Sequence, residues 1–180
     1  MADSNITKRA LASSLKTLMS QYPFAKISIG DICERCEMNR KSFYYHFRDK
    51  YDLVNWIFDR EFVVGIRSKK YNSQWEIFNE LCVYLYDNKA FYRNAFEVQG
   101  QNSFSEYFLN FTQNLFDNEF KSVSDNKTLA EFNSFLMSQA TKSILQAWLI
   151  SKDCIKPDEF SSKVKASVQS IAFYITDNKN

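Results

Sequence analysis

The sequence predicts an all-α protein of about nine helices. Turn-forming residues are scarce, with only three Gly and two Pro in 180 residues, and this favours a mostly helical chain. Apolar residues recur at three- and four-residue spacing along most of the chain, which indicates helices with one buried face. Hydrophobic residues make up 45% of the composition, enough for a sizeable core. We expect an N-terminal three-helix head, residues 1–50, followed by a C-terminal helical body, residues 51–180.

The first helix of the head is predicted from Thr7 to Gln21. Residues 1–6 are expected to lie outside it, and Pro23 breaks the chain after it. Its apolar positions share one face and are expected to be buried: Ala10, Leu11, Leu15, Leu18 and Met19.

The second helix is predicted to begin after Ser28. The Ser28 hydroxyl can accept a hydrogen bond from an unpaired N–H of the first turn, and Asp31 suits the positive end of the helix. Apolar residues keep helical spacing as far as Glu37 and Met38, where the pattern breaks. We therefore expect a short helix that ends in a tight turn.

The third helix is predicted from Arg40 to about Phe47, with Asn39 as its N-cap. Phe43 and Phe47, four residues apart, form its core-facing pair. The remaining positions give an outward face of basic, hydroxyl and aromatic groups: Arg40, Lys41, Ser42, Tyr44 and Tyr45. A helix about 12 Å long fits a DNA major groove, and such side chains bond base edges and phosphates. An αα-hairpin with a solvated polar face has the same pattern, and periodicity alone does not choose between the two.

Residues 28–53 resemble the DNA-binding signature of TetR/AcrR-family transcriptional regulators, and this signature covers about a seventh of the chain. The FYYHF segment is similar to the branch related to dihydroxyacetone-kinase regulators. One position departs from the family, because Glu37 stands where a Gly is usual. A positive φ at Glu37 would cost about 1 kcal/mol. The positions that match the family signature are Ser28, Ile32, Met38, Phe43, Tyr44, His46, Phe47, Lys50 and Leu53.

The resemblance implies a regulator that binds a palindromic operator in double-stranded DNA as a homodimer. The residues implied to hold phosphates are Ser28, Tyr44, His46 and Lys50. Those implied to reach base edges are Arg40, Lys41, Ser42 and Tyr45. The last two helices are implied to pair with a partner subunit, and the body to bind a small-molecule effector. On the residues alone, the last two helices could instead close the core of a monomer.

The body begins with a fourth helix, predicted from Asp49 to about Lys69, whose wide apolar face implies contacts with both head and body. Five further helices are predicted over residues 73–86, 88–98, 103–122, 126–151 and 157–176. Large aromatic residues can line an effector pocket. They are more often core residues at helical spacing, so both interpretations stay open. The candidate pocket residues are Tyr84, Phe91, Tyr92, Tyr107, Phe108, Phe111 and Trp148.

Charge is distributed unevenly between the two parts. Residues 1–70 carry thirteen Lys/Arg against eight Asp/Glu, a net charge of +5, whereas residues 71–180 carry ten against thirteen, a net charge of −3. This asymmetry is typical of a chain whose first part binds a polyanion. Chance clustering would give the same numbers.

Other classes of function find less support in the sequence. His46 is the single His, and no glycine-rich phosphate loop occurs, so we expect no catalytic residue and no cofactor. Cys33 and Cys36 form a CxxC inside a predicted helix, with no second CxxC and no His at ligand spacing. Core packing is favoured over a metal or redox role, which stays open.

The chain also has no run of about 18 apolar residues and no apolar N-terminal segment, so we expect a cytoplasmic protein without a membrane span. The alternative to a DNA-reading regulator is a co-regulator of the same fold that acts through protein partners. The basic segment Arg40-Lys41-Ser42 argues against this alternative, because such a protein would not need a basic reading helix.

Overall fold

The computed structural model describes residues 2–98, 100–123 and 125–177. The regular structure in these ranges is helical. No strand occurs within these ranges, and the predicted all-α fold is confirmed. The helices are α1 (Ala2–Met19), α2 (Ile29–Arg35), α3 (Arg40–His46), α4 (residues 50–67), α5 (Gln74–Asp87), α6 (Lys89–Glu97), α7 (Phe104–Val123), α8 (Lys127–Ile150) and α9 (Pro157–Asp177).

The first helix starts earlier than the apolar pattern predicts. It begins at Ala2 instead of Thr7 and ends at Met19 instead of Gln21. Residues 2–6 contain neither Gly nor Pro, so the helix continues through them although they add nothing to the apolar face. Of the predicted face, Leu11, Leu15, Leu18 and Met19 are buried, but Ala10 is only half-buried.

A short 3-10 turn, Phe24–Lys26, connects α1 to α2 and anchors the start of α4. The Phe24 side chain is buried, and its ring meets the ring of Tyr51 edge-on at a centroid distance of 5.2 Å. The turn therefore has an apolar contact with α4 as well as with the head helices.

The fourth helix belongs to both parts of the molecule, as its wide apolar face predicts. Its first segment is Lys50–Phe58, followed by one π-helical turn, Asp59–Val63, and a final α-helical turn, Val64–Arg67. The Trp56 ring lies 5.7 Å from the ring of Phe47 in the head. Two residues later, Phe58 contacts rings of the body. A π-helical turn adds one residue to a helical turn and is often found at functional sites.

The body is organised by two helix pairs. Helix α8 packs along α7. The buried residues of α8 include four small ones: Ala130, Ser134, Ser138 and Thr141. Helix α9 packs against α5, where Ser161 Oγ donates to Asn79 Oδ1 at 2.6 Å. No helix in the described ranges is both long enough and apolar enough to span a membrane.

Candidate nucleic-acid interface

The turn between α2 and α3 has the geometry of a Schellman C-cap. Glu37 has a φ of +55°, which is the left-handed conformation. Its N–H donates to Glu34 O at 3.1 Å, and the N–H of Met38 donates to Cys33 O at 2.9 Å. The turn that the family fills with Gly thus keeps its conformation here with a Glu, at a cost of about 1 kcal/mol.

The start of α2 is fixed by a reciprocal pair of hydrogen bonds. The Ser28 hydroxyl accepts from the Asp31 N–H at 3.2 Å, and the Ser28 N–H donates to the Asp31 carboxylate at 2.7 Å. The hydrogen bond from the Ser28 backbone is the largest of the effects that lower the pKa of Asp31. Ser28 therefore acts first as an N-cap, as predicted, and its exposed position leaves its hydroxyl proton available to a phosphate.

Asn39 caps the start of α3, again as predicted. Its side-chain oxygen accepts from the Ser42 N–H at 2.8 Å and from the Ser42 hydroxyl at 3.2 Å. Phe43 and Phe47 are buried with ring centroids 5.8 Å apart, so this side of α3 faces the core. The opposite side of α3 is consequently turned outward.

That outward side carries the groups expected for a reading surface. Arg40 and Lys41 are exposed, Tyr44 is 58% exposed and Tyr45 is 82% exposed. Seven residues make α3 about 10 Å long, which fits within the width of a DNA major groove. Two large aromatic rings so exposed bury little apolar surface in the isolated chain, and a binding role explains them better.

Two other predicted contact residues, Ser42 and His46, are less exposed and are half-buried. The Ser42 hydroxyl donates its proton to Asn39, so it offers an acceptor more readily than a donor. The His46 ring lies edge-on to the ring of Tyr45, with centroids 4.8 Å apart. His46 therefore supports Tyr45 in addition to any phosphate contact.

Lys50 has a role within the head that the sequence pattern did not predict. Its Nζ donates to Ile27 O at 2.7 Å, to Phe24 O at 2.8 Å and to Ala25 O at 3.4 Å. Desolvation lowers the pKa of Lys50, while the charge of Asp31 acts in the opposite direction. These contacts can use all three ammonium protons, so Lys50 ties the start of α4 to the 3-10 turn. Its contact with a phosphate stays a prediction.

The two cysteines of the CxxC lie against the head core. Cys33 is buried, Cys36 is half-buried, and both are free thiols. Burial raises the pKa of Cys33, which keeps its thiol protonated. Within the described residues no cluster of three or more His, Cys, Asp or Glu could hold a metal.

Two family models match this chain. Residues 13–57, which contain the whole helix-turn-helix, match the model described as bacterial regulatory proteins, tetR family. Residues 73–170, more than half of the chain, match a model of the transcriptional regulator C-terminal region. The chain belongs to the TetR family of transcriptional regulators. It is accordingly a transcription regulator, and regulators of this family bind DNA and are not enzymes.

Known proteins resemble this chain in sequence and in fold. The chain is 32% identical over 120 residues to DhaS of Lactococcus lactis, a dhaKLM operon transcriptional activator, in a match that covers 65% of this chain and 62% of that relative. The structure of a dihydroxyacetone kinase operon activator, DhaS, superposes with a TM-score of 0.67 at 24% identity, covering 92% of this chain and 95% of that one. A TetR regulator from Streptococcus agalactiae gives a TM-score of 0.68 at 13% identity over 90% and 93% of the two chains.

The aromatic residues predicted to line an effector pocket in this TetR-family regulator mostly pack as core. Five of the seven surround Phe58, with ring centroids 5.3–6.2 Å from its own: Tyr84, Tyr92, Tyr107, Phe108 and Phe111. Phe91 is buried against Tyr92, at 5.0 Å. Nothing in the sequence singles out Phe58 of α4 as the centre of this cluster. The pocket stays a prediction.

Trp148, the seventh, lies apart from this cluster. It stacks on Phe160 of α9 at a centroid distance of 4.3 Å, and its indole N–H donates to Ile155 O at 2.9 Å. Near this stack, an open and mainly apolar groove of about 580 Å³ runs between α5, α7, α8 and α9. Its lining includes Phe78, Phe116, Met137, Ile144, Val168 and Ile171.

Proposed function

We propose that this TetR-family regulator binds a near-palindromic operator as a homodimer, through the heads of two subunits. The observation that carries the proposal is the exposed face of α3. Two Tyr rings and two cations project from this face, and the helix fits the major groove. We assign DNA binding to residues 1–50, and effector binding and dimerisation to residues 51–180.

Within this interface, the proposed contacts divide into two groups. Arg40, Lys41, Ser42 and Tyr45 approach base edges, since they lie at the start of α3 or on its outward side. Ser28, Tyr44, His46 and Lys50 approach the phosphates, and Lys50 would have to exchange a carbonyl contact for a phosphate oxygen.

Dimerisation through α8 and α9 is supported by the large apolar side chains that these helices leave exposed. Isolated exposed side chains are ordinary, whereas a contiguous apolar set indicates an interaction surface. Ile144, Val168 and Ile171 also line the open groove, so a partner subunit on this face would cover both. The exposed side chains on the two helices include Leu129, Phe132, Phe135, Leu136, Ile144, Val168 and Ile171.

A two-fold dimer also follows from what DNA recognition requires. One short helix contacts too few base pairs for useful specificity, and a symmetric pair of heads separated by about 34–36 Å contacts two half-sites. The DhaS relatives are described as operon activators, which supports activation as the sign of control. A small-molecule effector would act by favouring a head spacing that does or does not match this separation.

The experiment is a selection of random duplexes by the purified protein, followed by a salt titration of binding to the enriched sequences. We expect a consensus with two related halves, bound about 10³-fold or more above random DNA. Enrichment of a single half-site would contradict the dimer. Tight salt-dependent binding without any enriched sequence, or no binding at all, would favour a co-regulator acting through protein partners.

A further inference from the structure

A concave surface between α1 and α4 carries an excess of positive charge and is linked by hydrogen bonds to the core of the body. It is an open cleft of about 600 Å³ at the junction of head and body. Its walls carry three cations, one carboxylate and an indole ring: Arg9 and Lys16 from α1, and Trp56, Arg60 and Glu61 from α4. We call it the α1–α4 cleft.

Positive charge in the α1–α4 cleft is only partly neutralised. Lys16 pairs with Glu61 at 2.9 Å. Arg9 and Arg60 are exposed and form no ion pair with any residue that the structure describes. Three cations against one carboxylate leave the cleft with a net charge of +2. A guanidinium presents several N–H donors in a planar fork, which suits carboxylate and phosphate oxygens.

The carboxylate in the cleft is also the end of a hydrogen-bond chain from the body. Glu61 lies on the π-helical turn of α4 and accepts from the Tyr84 hydroxyl at 3.0 Å. The Tyr84 and Tyr92 hydroxyls lie 2.5 Å apart, and Tyr92 is fully buried. Glu61 therefore joins Lys16 in the head to a partly buried pair of hydroxyls from α5 and α6.

We propose that the α1–α4 cleft binds a small anion bearing a carboxylate or phosphate group. Its oxygens bind Arg9 and Arg60 and compete with Glu61 for Lys16. Binding therefore weakens the one ion pair that connects α1 to the tyrosine pair in the described structure. The site is distinct from the rings around Phe58, which it meets through Tyr84, and from the apolar groove between α5, α7, α8 and α9. Its binding does not depend on the proposed function, but its regulatory consequence rests on that function.

The regulatory consequence follows from where the contacts lie. Lys16 belongs to the helix that packs on α2 and α3, whereas Glu61 belongs to the helix shared with the body. A ligand shifts an equilibrium between two conformations only by the difference in its affinity for them. An anion that binds more tightly when Lys16 is separated from Glu61 therefore favours the arrangement of the head in which this ion pair is broken. The effector class that this predicts is a small metabolite with an anionic group.

The test uses the full-length protein with ¹⁵N label, free of DNA, titrated with inorganic phosphate at constant ionic strength. The three indole N–H signals, assigned through Trp→Phe variants, report on three places: Trp56 in the cleft, Trp75 in the groove and Trp148 in the stack. We expect a saturable shift of the Trp56 signal alone.

Three variants make the interpretation specific. Arg60→Gln should weaken phosphate binding about tenfold, because one charged hydrogen-bonding partner is lost. Glu61→Gln should tighten it severalfold, because the competitor for Lys16 loses its charge. Lys70→Gln is the matched control, because Lys70 is an exposed cation just beyond α4. It should leave the midpoint of the phosphate titration unchanged. Circular dichroism confirms that each variant is folded.

Two results would overturn the proposal. A shift that is linear, or equal for the three indoles, or insensitive to Arg60→Gln, would indicate an adventitious ion only. No phosphate shift, together with a smaller salt dependence of DNA binding in Arg60→Gln, would assign the cations to DNA phosphates instead. A lack of operator binding would not affect the phosphate titration, so the failure of the proposed function is distinguishable from failure of the anion site. If phosphate binds and operator affinity changes at the same midpoint, the regulatory consequence is supported as well.

Discussion

The guanidinium of Arg40 lies directly over Gly30 of α2. Its Nη2 atom is 2.6 Å from the position that a β-carbon on residue 30 would occupy, closer than any real contact allows. Gly in a helix usually costs about 1 kcal/mol relative to Ala, so a Gly here needs an explanation. The explanation that the geometry offers is that Gly30 leaves room for Arg40 to rest against α2.

Replacing Gly30 with Ala should therefore move the Arg40 guanidinium without unfolding the head, because the atom closest to the added β-carbon is the end of a flexible side chain. Ser28 Oγ, 3.3 Å from that β-carbon, has to shift by only a few tenths of an ångström. We expect operator affinity to fall about fivefold or more, while the urea midpoint stays the same or rises. Gly65→Ala is the matched control, since nothing lies within 4 Å of its added β-carbon. It should add about 0.5–1 kcal/mol of stability and leave DNA binding unchanged. Full operator affinity in Gly30→Ala would show that Arg40 does not depend on Gly30.

Lys50→Ala should act mainly on stability. It removes the donor for the carbonyls of Phe24 and Ile27, and a hydrogen bond from a charged group contributes about 1.5–3 kcal/mol. Urea unfolding should show a loss of that order, and Lys41→Ala, at an exposed position, should show none. In the DNA-binding assay Lys50→Ala should also lower the slope of log affinity against log salt concentration by about one, because Lys50 is proposed to contact a phosphate. Lys41→Ala should instead relax the sequence preference at one base pair of each half-site. A Lys50→Ala protein of normal stability with a smaller salt slope would assign the ammonium group to DNA.

Glu37→Gly should stabilise the protein by about 1 kcal/mol, because Gly adopts the φ of +55° without strain. The opposite sign is expected for Glu34→Gly, three residues earlier, where Gly would weaken the body of α2. Both positions are exposed, so unfolding in urea compares the backbone effects directly. Equal destabilisation by both substitutions would mean that the Glu37 side chain contributes more than its strained backbone costs.

Phe132→Glu should dissociate the proposed dimer, because a two-fold interface would bring two added carboxylates onto one apolar face. Sedimentation velocity should then give a monomer, and cooperative operator binding should be lost. Val83→Glu is the control, since Val83 is also an exposed apolar residue but lies on α5 outside that face. A Phe132→Glu protein that stays dimeric would place the subunit interface elsewhere.

Local signals in the sequence predicted the head well. Ser28 and Asn39 cap the helices expected of them because a cap depends only on residues three positions apart. The same holds for the core-facing pair Phe43 and Phe47, since helical periodicity decides which side they share. The only indication of the positive φ at Glu37 was the Gly that the resembled family usually has there, because nothing in a Glu residue itself indicates that conformation.

Long-range contacts were not predictable in the same way. Lys50 reaches carbonyls 23 to 26 residues earlier in the chain, and nothing in the local sequence distinguishes an internal ammonium contact from a phosphate contact. The aromatic residues of the body had the composition of a pocket lining, but whether rings enclose a space or fill it depends on how Phe58 enters between them. The π-helical turn at Asp59–Val63 likewise contains no Gly or Pro that would indicate it in the sequence.

The shared helix α4 also determines where this chain could be divided. Tyr51 packs on Phe24 and Trp56 packs on Phe47, so a cut at residue 50 would strip two aromatic side chains from the DNA-binding unit. A functional chimera that transplants this head onto another regulator's body would have to carry α4 with it at least as far as Trp56. Because Phe58 is already enclosed by rings of the body, the recipient would have to supply matching neighbours for it. The proposed specificity for DNA and the proposed response to a signal would thus be inherited together, through one helix that packs on both the head and the body.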